Sequence, residues 1–185
     1  MTWLAQNRAR AGTRLEVTKL ITLVRIEAQS AQTYKAIRLA ALKQDPLSFG
    51  STYEREVLLS DKDWLTRASS LDGENRVGFF ALEDEQALGL VACFRDSEDP
   101  AVGEVISMWV APAVRRRGVG SDLLKAIRHW AQERRIQTIR LLVTSLNTAG
   151  ICFYERNGFV RTGKTVPYPH TPDTVEIEMI LSADA

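Results

Sequence analysis

The segment Val110-Ala-Pro-Ala-Val-Arg-Arg-Arg-Gly-Val-Gly-Ser121 constrains this chain more than any other. Before it lies an apolar, strand-like run, Glu104-Val-Ile-Ser-Met-Trp-Val110, stopped by Pro112. After it, residues 121–135 read as an amphipathic helix. Leu123, Leu124, Ile127 and Ala131 recur at helical spacing, while Lys125, Arg128, Gln132 and Arg135 fall elsewhere. A strand, a short turn and a helix start bring successive backbone N–H groups to one place, which the helix macrodipole makes attractive to anions. Gly118 and Gly120 let the backbone approach a diphosphate with no Cβ in the way. Arg115, Arg116 and Arg117 add positive charge beside it. The turn therefore predicts a pyrophosphate ligand.

Two common pyrophosphate sites do not fit. The nucleoside triphosphate loop needs Gly-Lys-Ser/Thr, but Gly120 is followed directly by Ser121. The dinucleotide fingerprint needs a third glycine, and position 123 is Leu. Three arginines alone would read as a solvated charge run. Followed at once by Gly-x-Gly and a helix, they read as phosphate ligands.

The remaining chain supplies a sheet for this turn. Residues 1–20 lack a clear period and form an N-terminal extension to a domain over residues 21–185. Residues 22–27 alternate as a half-buried strand. Ser30 is placed to cap a helix over 31–43 with Tyr34, Ile37, Ala41 and Leu42 near one face, ended by Asp45-Pro46. A more polar helix or pair of turns follows over 51–68. Residues 76–82 and 87–95 are apolar runs joined as a hairpin by Glu83-Asp-Glu-Gln86. Residues 138–144 form a further strand, and Asn147 and Asn157-Gly158 bracket another helix. Residues 159–162 and 175–181 read as the last strands, around a Pro-rich loop. The order is a mixed α/β layout around one sheet.

Composition narrows the function classes. The 24 Lys and Arg nearly balance 23 Asp and Glu, which argues against a general nucleic-acid binder. No apolar stretch approaches the ~20 residues of a membrane span. Cys93 and Cys152 lie far apart in apolar segments, with no Cys/His zinc spacing and no disulfide framework. Both are expected to pack inward as reduced thiols, in a cytoplasmic protein.

Arg115-Arg-Arg-Gly118-Val-Gly120, with Trp109-Val110-x-Pro112 before it and Asn147…Phe153-Tyr-Glu-Arg-Asn-Gly-Phe159 after it, resembles the GNAT superfamily of acetyl-CoA-dependent N-acetyltransferases. The likeness spans roughly residues 20–182. It implies a central mixed, mostly antiparallel sheet of six to seven strands with about four flanking helices. It also implies acetyl-CoA as co-substrate, an amine-bearing acceptor, and a dimer as a common assembly. The pantetheine arm would lie in a V-shaped gap between the strands ending near Val110 and Thr144. Met108, Trp109 and Val110 would border it. Arg115, Arg116, Arg117, Gly118, Val119, Gly120 and Ser121 would hold the pyrophosphate. Asn147 would touch the cofactor, and Tyr154 would sit near its sulfur.

Acetyl transfer needs a neutral amine, an oxyanion site and a proton for the leaving thiolate. A backbone N–H at Val110 suits the oxyanion, and Tyr154 is the candidate acid, with ring packing as its other reading. Three candidates stand for the base: Glu104, His170 and water. Residues six apart on a strand share a face, so Glu104 is expected to look toward the site of Met108 and Val110, or else to be a solvated strand-end glutamate. Tyr53 and Trp64 with Glu54 and Glu56 would make an amine-attracting wall, although Trp64 also suits plain core packing. The alternative to an enzyme is a non-catalytic CoA-binding sensor or scaffold. The acceptor has no recognisable code in the sequence.

Overall fold

The structure, a computed structural model, describes residues 20–169, 171 and 173–184. His170 and residues 1–19 of the expected N-terminal extension lie outside them. The described residues form seven strands: β1 (Thr22–Arg25), β2 (Arg76–Glu83), β3 (Gln86–Arg95), β4 (Val102–Val110), β5 (Thr138–Thr144), β6 (Val160–Pro167) and β7 (Val175–Ser182). They make one sheet in the order β1-β2-β3-β4-β5-β7-β6. Only β4 and β5 run parallel. The expected mixed, mostly antiparallel sheet is found.

Five α-helices cover the sheet: α1 (Ala31–Gln44), α2 (Tyr53–Glu56), α3 (Asp61–Ser69), α4 (Val119–Glu133) and α5 (Thr148–Arg156). The polar region after α1 is the expected pair of turns, α2 and α3. Ser60 starts α3 with a reciprocal cap, its Oγ accepting from the Asp63 N–H at 3.2 Å while Asp63 Oδ2 accepts from the Ser60 N–H at 2.8 Å.

Helices on the two faces enclose separate cores. Beneath α4 and α5, Val77, Val91, Val105, Leu123, Ile127 and Met179 are among the buried side chains of one cluster. Leu123 and Ile127 are wholly buried, and each such side chain contributes about 1.5–3 kcal/mol relative to exposure. Beneath α1 and α3, Tyr34, Ile37, Leu42, Trp64, Phe80 and Leu90 belong to the second. The Tyr34 and Trp64 rings meet edge to face at 5.6 Å.

Local expectations fail at a few points. Ser30 makes no side-chain cap to α1; its Oγ instead exchanges hydrogen bonds with Glu27, accepting from its N–H at 3.0 Å and donating to its C=O at 2.7 Å. The helix after the turn begins at Val119, two residues early, because Gly118 at φ +86° is itself the cap. The strand expected over 159–162 runs on to Pro167. Asp84 and Glu85, at φ +48° and +67°, make the two-residue hairpin turn whose twist matches its strands.

Candidate active site

The parallel pair β4–β5 is joined only from Val102↔Thr138 to Val105↔Leu141. Both strands continue, β4 to Val110 and β5 to Thr144, without pairing further. This splay is the expected V-shaped gap. The Ala111 N–H donates to Leu88 C=O on β3 at 2.7 Å. By strand alternation the Val110 N–H turns to the other edge, into the gap.

A bulge lies where the strands part. From Leu90 to Ala92 β3 advances two residues, whereas the partner positions on β4 run from Trp109 back to Ile106, three residues. Ser107 takes up the extra residue at φ +56°. The bulge changes which side chains share a face. Met108 and Val110 pack against the core under α4, while Trp109 is buried in the core under α1 and α3. Glu104 does not share the face of Met108 and Val110. It lies beside Phe94 and directly opposite Arg140, which donates to it through Nη2 at 2.7 Å and Nε at 3.2 Å. Arg140 also reaches Asp96 at 2.7 Å. The six-residue expectation fails because the intervening bulge inverts the alternation.

The turn after β4 is built as the sequence suggests. Arg115, Arg116, Arg117 and Gly118 are exposed, and the first-turn N–H groups of Val119, Gly120 and Ser121 have no partner inside the helix. Val119 is buried by its side chain, so only its backbone can meet a ligand. Gly120 is needed for packing: a Cβ there would lie 2.9 Å from Phe153 Cζ and 3.3 Å from Met108 Cε. The structure thus brings the start of α4, the gap strand and α5 together at one glycine.

Not every side chain assigned to the cofactor points where expected. Trp109 turns its indole away from the gap and donates from Nε1 to Asp45 Oδ2 at 2.7 Å. Arg115 binds the same Asp45 oxygen at 2.5 Å and donates from Nε to Val110 C=O at 2.9 Å. That carbonyl is therefore engaged within the chain. Arg117 pairs with Glu83 at 2.8 Å. Asn147 caps α5 as expected, its Oδ1 accepting from the Gly150 N–H at 2.8 Å, and its Nδ2 donates to Ser48 Oγ at 3.2 Å. Tyr168 donates to Phe49 C=O at 3.0 Å. Residues 45–49 consequently span the lips of the gap, tied to β4 at one end and to the β5–α5 loop at the other.

Tyr154 lies in α5 beside Phe153. Its ring meets Phe153 at 5.2 Å and Phe159 at 5.6 Å, both edge to face. Burial pushes its phenol well above the usual value, so it stays protonated at neutral pH and is a weaker acid than a free phenol. Cys152, expected to pack inward, is exposed, whereas Cys93 is buried. His129 is exposed on α4, 3.3 Å from Glu133.

The amine-attracting wall is not formed. Glu56 is buried and occupied by two guanidiniums, Arg38 through Nη2 at 2.8 Å and Nε at 3.1 Å, and Arg67 at 2.9 Å. Arg38 also reaches Ser107 at 3.3 Å. Burial alone would raise the Glu56 carboxyl, but Arg38 and Arg67, with a hydrogen bond from Ser51, hold it below the usual carboxylate range. Arg38 was legible in principle: four residues after Tyr34 and four before Leu42, it falls on the apolar stripe of α1. Asp45 and Ser48 carried no comparable signal.

A splayed parallel pair, with a glycine turn and helix start at its mouth, accords with a match to the acetyltransferase (GNAT) family over residues 37–159, and the chain belongs to that family. It is 26% identical over 147 residues to the mycothiol acetyltransferase of Pseudarthrobacter chlorophenolicus, covering 77% of this chain and 43% of that one. The chain spans less than half the length of the curated relatives it matches. A GNAT-family acetyltransferase of Streptococcus pneumoniae shares its fold with a TM-score of 0.75 at 20% identity, covering 88% of this chain and 99% of that one. The yncA protein of Salmonella typhimurium, solved with its cofactor acetyl-CoA, gives 0.74 at 16% identity, covering 90% of this chain and 95% of that one. Among the described residues no helix is long and apolar enough to cross a membrane, and no group of His, Cys, Asp and Glu is arranged to hold a metal.

Proposed function

We propose that this chain is an N-acetyltransferase that moves an acetyl group from acetyl-CoA directly to a primary amine. The observation that carries this reading is the stretch of β4 beyond Val105, unpaired on its β5 side and followed by the Gly118–Gly120 turn and the start of α4. An extended thioester arm needs strand-edge partners, and its diphosphate needs converging N–H donors; the two lie in succession.

In this reading the N–H groups of Val119, Gly120 and Ser121 hold the diphosphate, with Arg116 and Arg117 adding charge. Met108 and Val110 present strand-edge groups to the pantetheine, and Asn147 borders the arm. The neutral amine attacks the thioester carbon, and the Val110 N–H stabilises the oxyanion. As the C–S bond breaks, Tyr154 gives its proton to the departing thiolate. The ammonium proton leaves to water or to a base. Glu104 is the candidate on the α1–α3 face and acts through water, since Arg140 holds its carboxylate. His170 is the other candidate.

Calorimetry with acetyl-CoA, ATP and NAD tests the reading. Binding of acetyl-CoA alone, with amine-dependent thiol release, is expected. Binding without release across a broad amine panel would favour a CoA-binding module. Absence of acetyl-CoA binding would remove the reading.

A further inference from the structure

On the α1–α3 face, a cavity of about 270 Å³ lies between these helices and the sheet. Its wall includes Ile106 and Ser107, the first two β4 residues past the last β4–β5 pair. The cavity therefore adjoins the apex of the gap, on the side away from α4. Its charge is lopsided. Among the described residues, Arg38, Arg67 and Arg76 line it, with Glu56 as the single carboxylate.

That carboxylate is fully used. Arg38 engages both of its oxygens and Arg67 one of them, and Ser51 adds a further hydrogen bond. The guanidiniums are not used up. Each carries five N–H donors; Arg38 spends three, two on Glu56 and one on Ser107. The Arg67 side chain is 42% exposed. Cation–π contacts hold them: Arg38 Cζ lies over the Phe49 ring at 4.6 Å and Arg67 Cζ over the Trp64 ring at 5.1 Å. Two positive charges remain in excess, on a preorganised wall beside the reacting strand. Such a wall repels a simple ammonium and takes an oxyanion in fork geometry.

We infer that the acceptor carries an anionic group, a carboxylate, which this arginine wall binds while the amine of the same molecule reaches the gap. The inference rests on the acetyl-transfer reading above and names its substrate class: a small amino acid or related amino carboxylate. The volume lies just below the ~300–1,000 Å³ typical of small-molecule sites, which suits a small acceptor. Ser107, on the cavity wall, lies three residues before Val110 along β4, a span of at most about 10 Å, so the wall and the gap are within reach of one small molecule.

The test uses the full chain with acetyl-CoA and an amine series: glycine, β-alanine, 4-aminobutyrate and 6-aminohexanoate, each against its methyl ester. 2-Aminoethylphosphonate separates a general oxyanion preference from a carboxylate preference. Acids are expected to exceed their esters in kcat/KM by about tenfold or more, the loss of one charge-assisted hydrogen bond. Arg76→Gln and Arg67→Gln should raise KM for the acids by about tenfold and leave the esters unchanged. Both variants keep the Arg38–Glu56 pair. Calorimetric binding of the same acids reads the wall without turnover. Esters reacting as well as acids, variants indistinguishable from the parent on acids, or no saturable binding of any acid would each overturn the inference. Acetyl-CoA binding with uniform turnover of neutral amines would sink it and leave the transfer reading standing. Absence of acetyl-CoA binding would sink the transfer reading instead.

Discussion

The face under α4 and the face under α1 and α3 bury comparable sets of side chains by different means. Under α4 the buried cluster is apolar, with Leu123, Ile127, Trp130, Leu141 and Met179 among its members, and none of the buried charged side chains among the described residues belongs to it. Under α1 and α3, aromatic rings share the space with a buried Arg38–Glu56 pair, and Asp45 accepts from both Trp109 and Arg115. An apolar face tolerates exchange of one hydrocarbon for another, so it can be generic. A face built on buried charge holds only if every partner is present, and it fixes geometry at those points. The generic face carries the Gly118–Gly120 turn, and the charged face carries the arginine wall proposed for the acceptor.

The largest test of this contrast is Glu56→Ala, which leaves Arg38 buried with its main partner gone. A loss of about 3–5 kcal/mol in unfolding free energy is expected by denaturant titration, far more than Leu124→Met on the other face, at under about 1.5 kcal/mol. The pair also sets a pH dependence. The folded Glu56 carboxyl lies below its unfolded value, so its stabilisation is present above the ordinary carboxyl range and is lost as pH falls through the folded value. Glu56→Gln should therefore flatten the acid limb of the stability profile.

Next in size, Tyr154→Phe should lower kcat by about a hundredfold, the scale of one general acid, with acetyl-CoA affinity by calorimetry nearly unchanged. Unaltered kcat would make Tyr154 a packing residue only. Gly118→Asp should weaken acetyl-CoA by about tenfold. Here the cause is charge and backbone strain, since among the described residues only Asp122 Oδ2, at 4.0 Å, lies near the new Cβ. The mildest test is alkylation with iodoacetamide. Cys152 is exposed, while burial raises the Cys93 thiol, so the native protein should take one label and the urea-unfolded protein two. Native labelling at Cys93 would show that the α4 face is less dry than its packing implies.

Much of the cofactor side was legible because its signals are local. Gly118 and Gly120, the Leu123–Ile127 stripe and the Asn147 cap act within a few residues of sequence, where backbone geometry decides. The acceptor side was not. Arg38, Glu56 and Ser107 are distant in sequence and become a unit only when α1, α2 and β4 pack together. Cys152 misled because a short apolar neighbourhood does not say whether a residue of α5 turns toward the sheet or toward solvent. Glu104 misled for a sharper reason: strand periodicity assumes a regular ladder, and β4 is irregular at Ser107.

That irregularity gives β4 something like a reading frame. Before Ser107 the odd positions Gly103 and Val105 face α4; beyond it the even positions Met108 and Val110 do. A single strand thus serves two phases, one set by its partner β5 and one set by the open gap. Removing one residue at the junction would put the strand back in a single phase. Trp109 and Val110 would keep their present faces, whereas straightening the strand with Ser107 retained would send Trp109 into the α4 face and Val110 out of it.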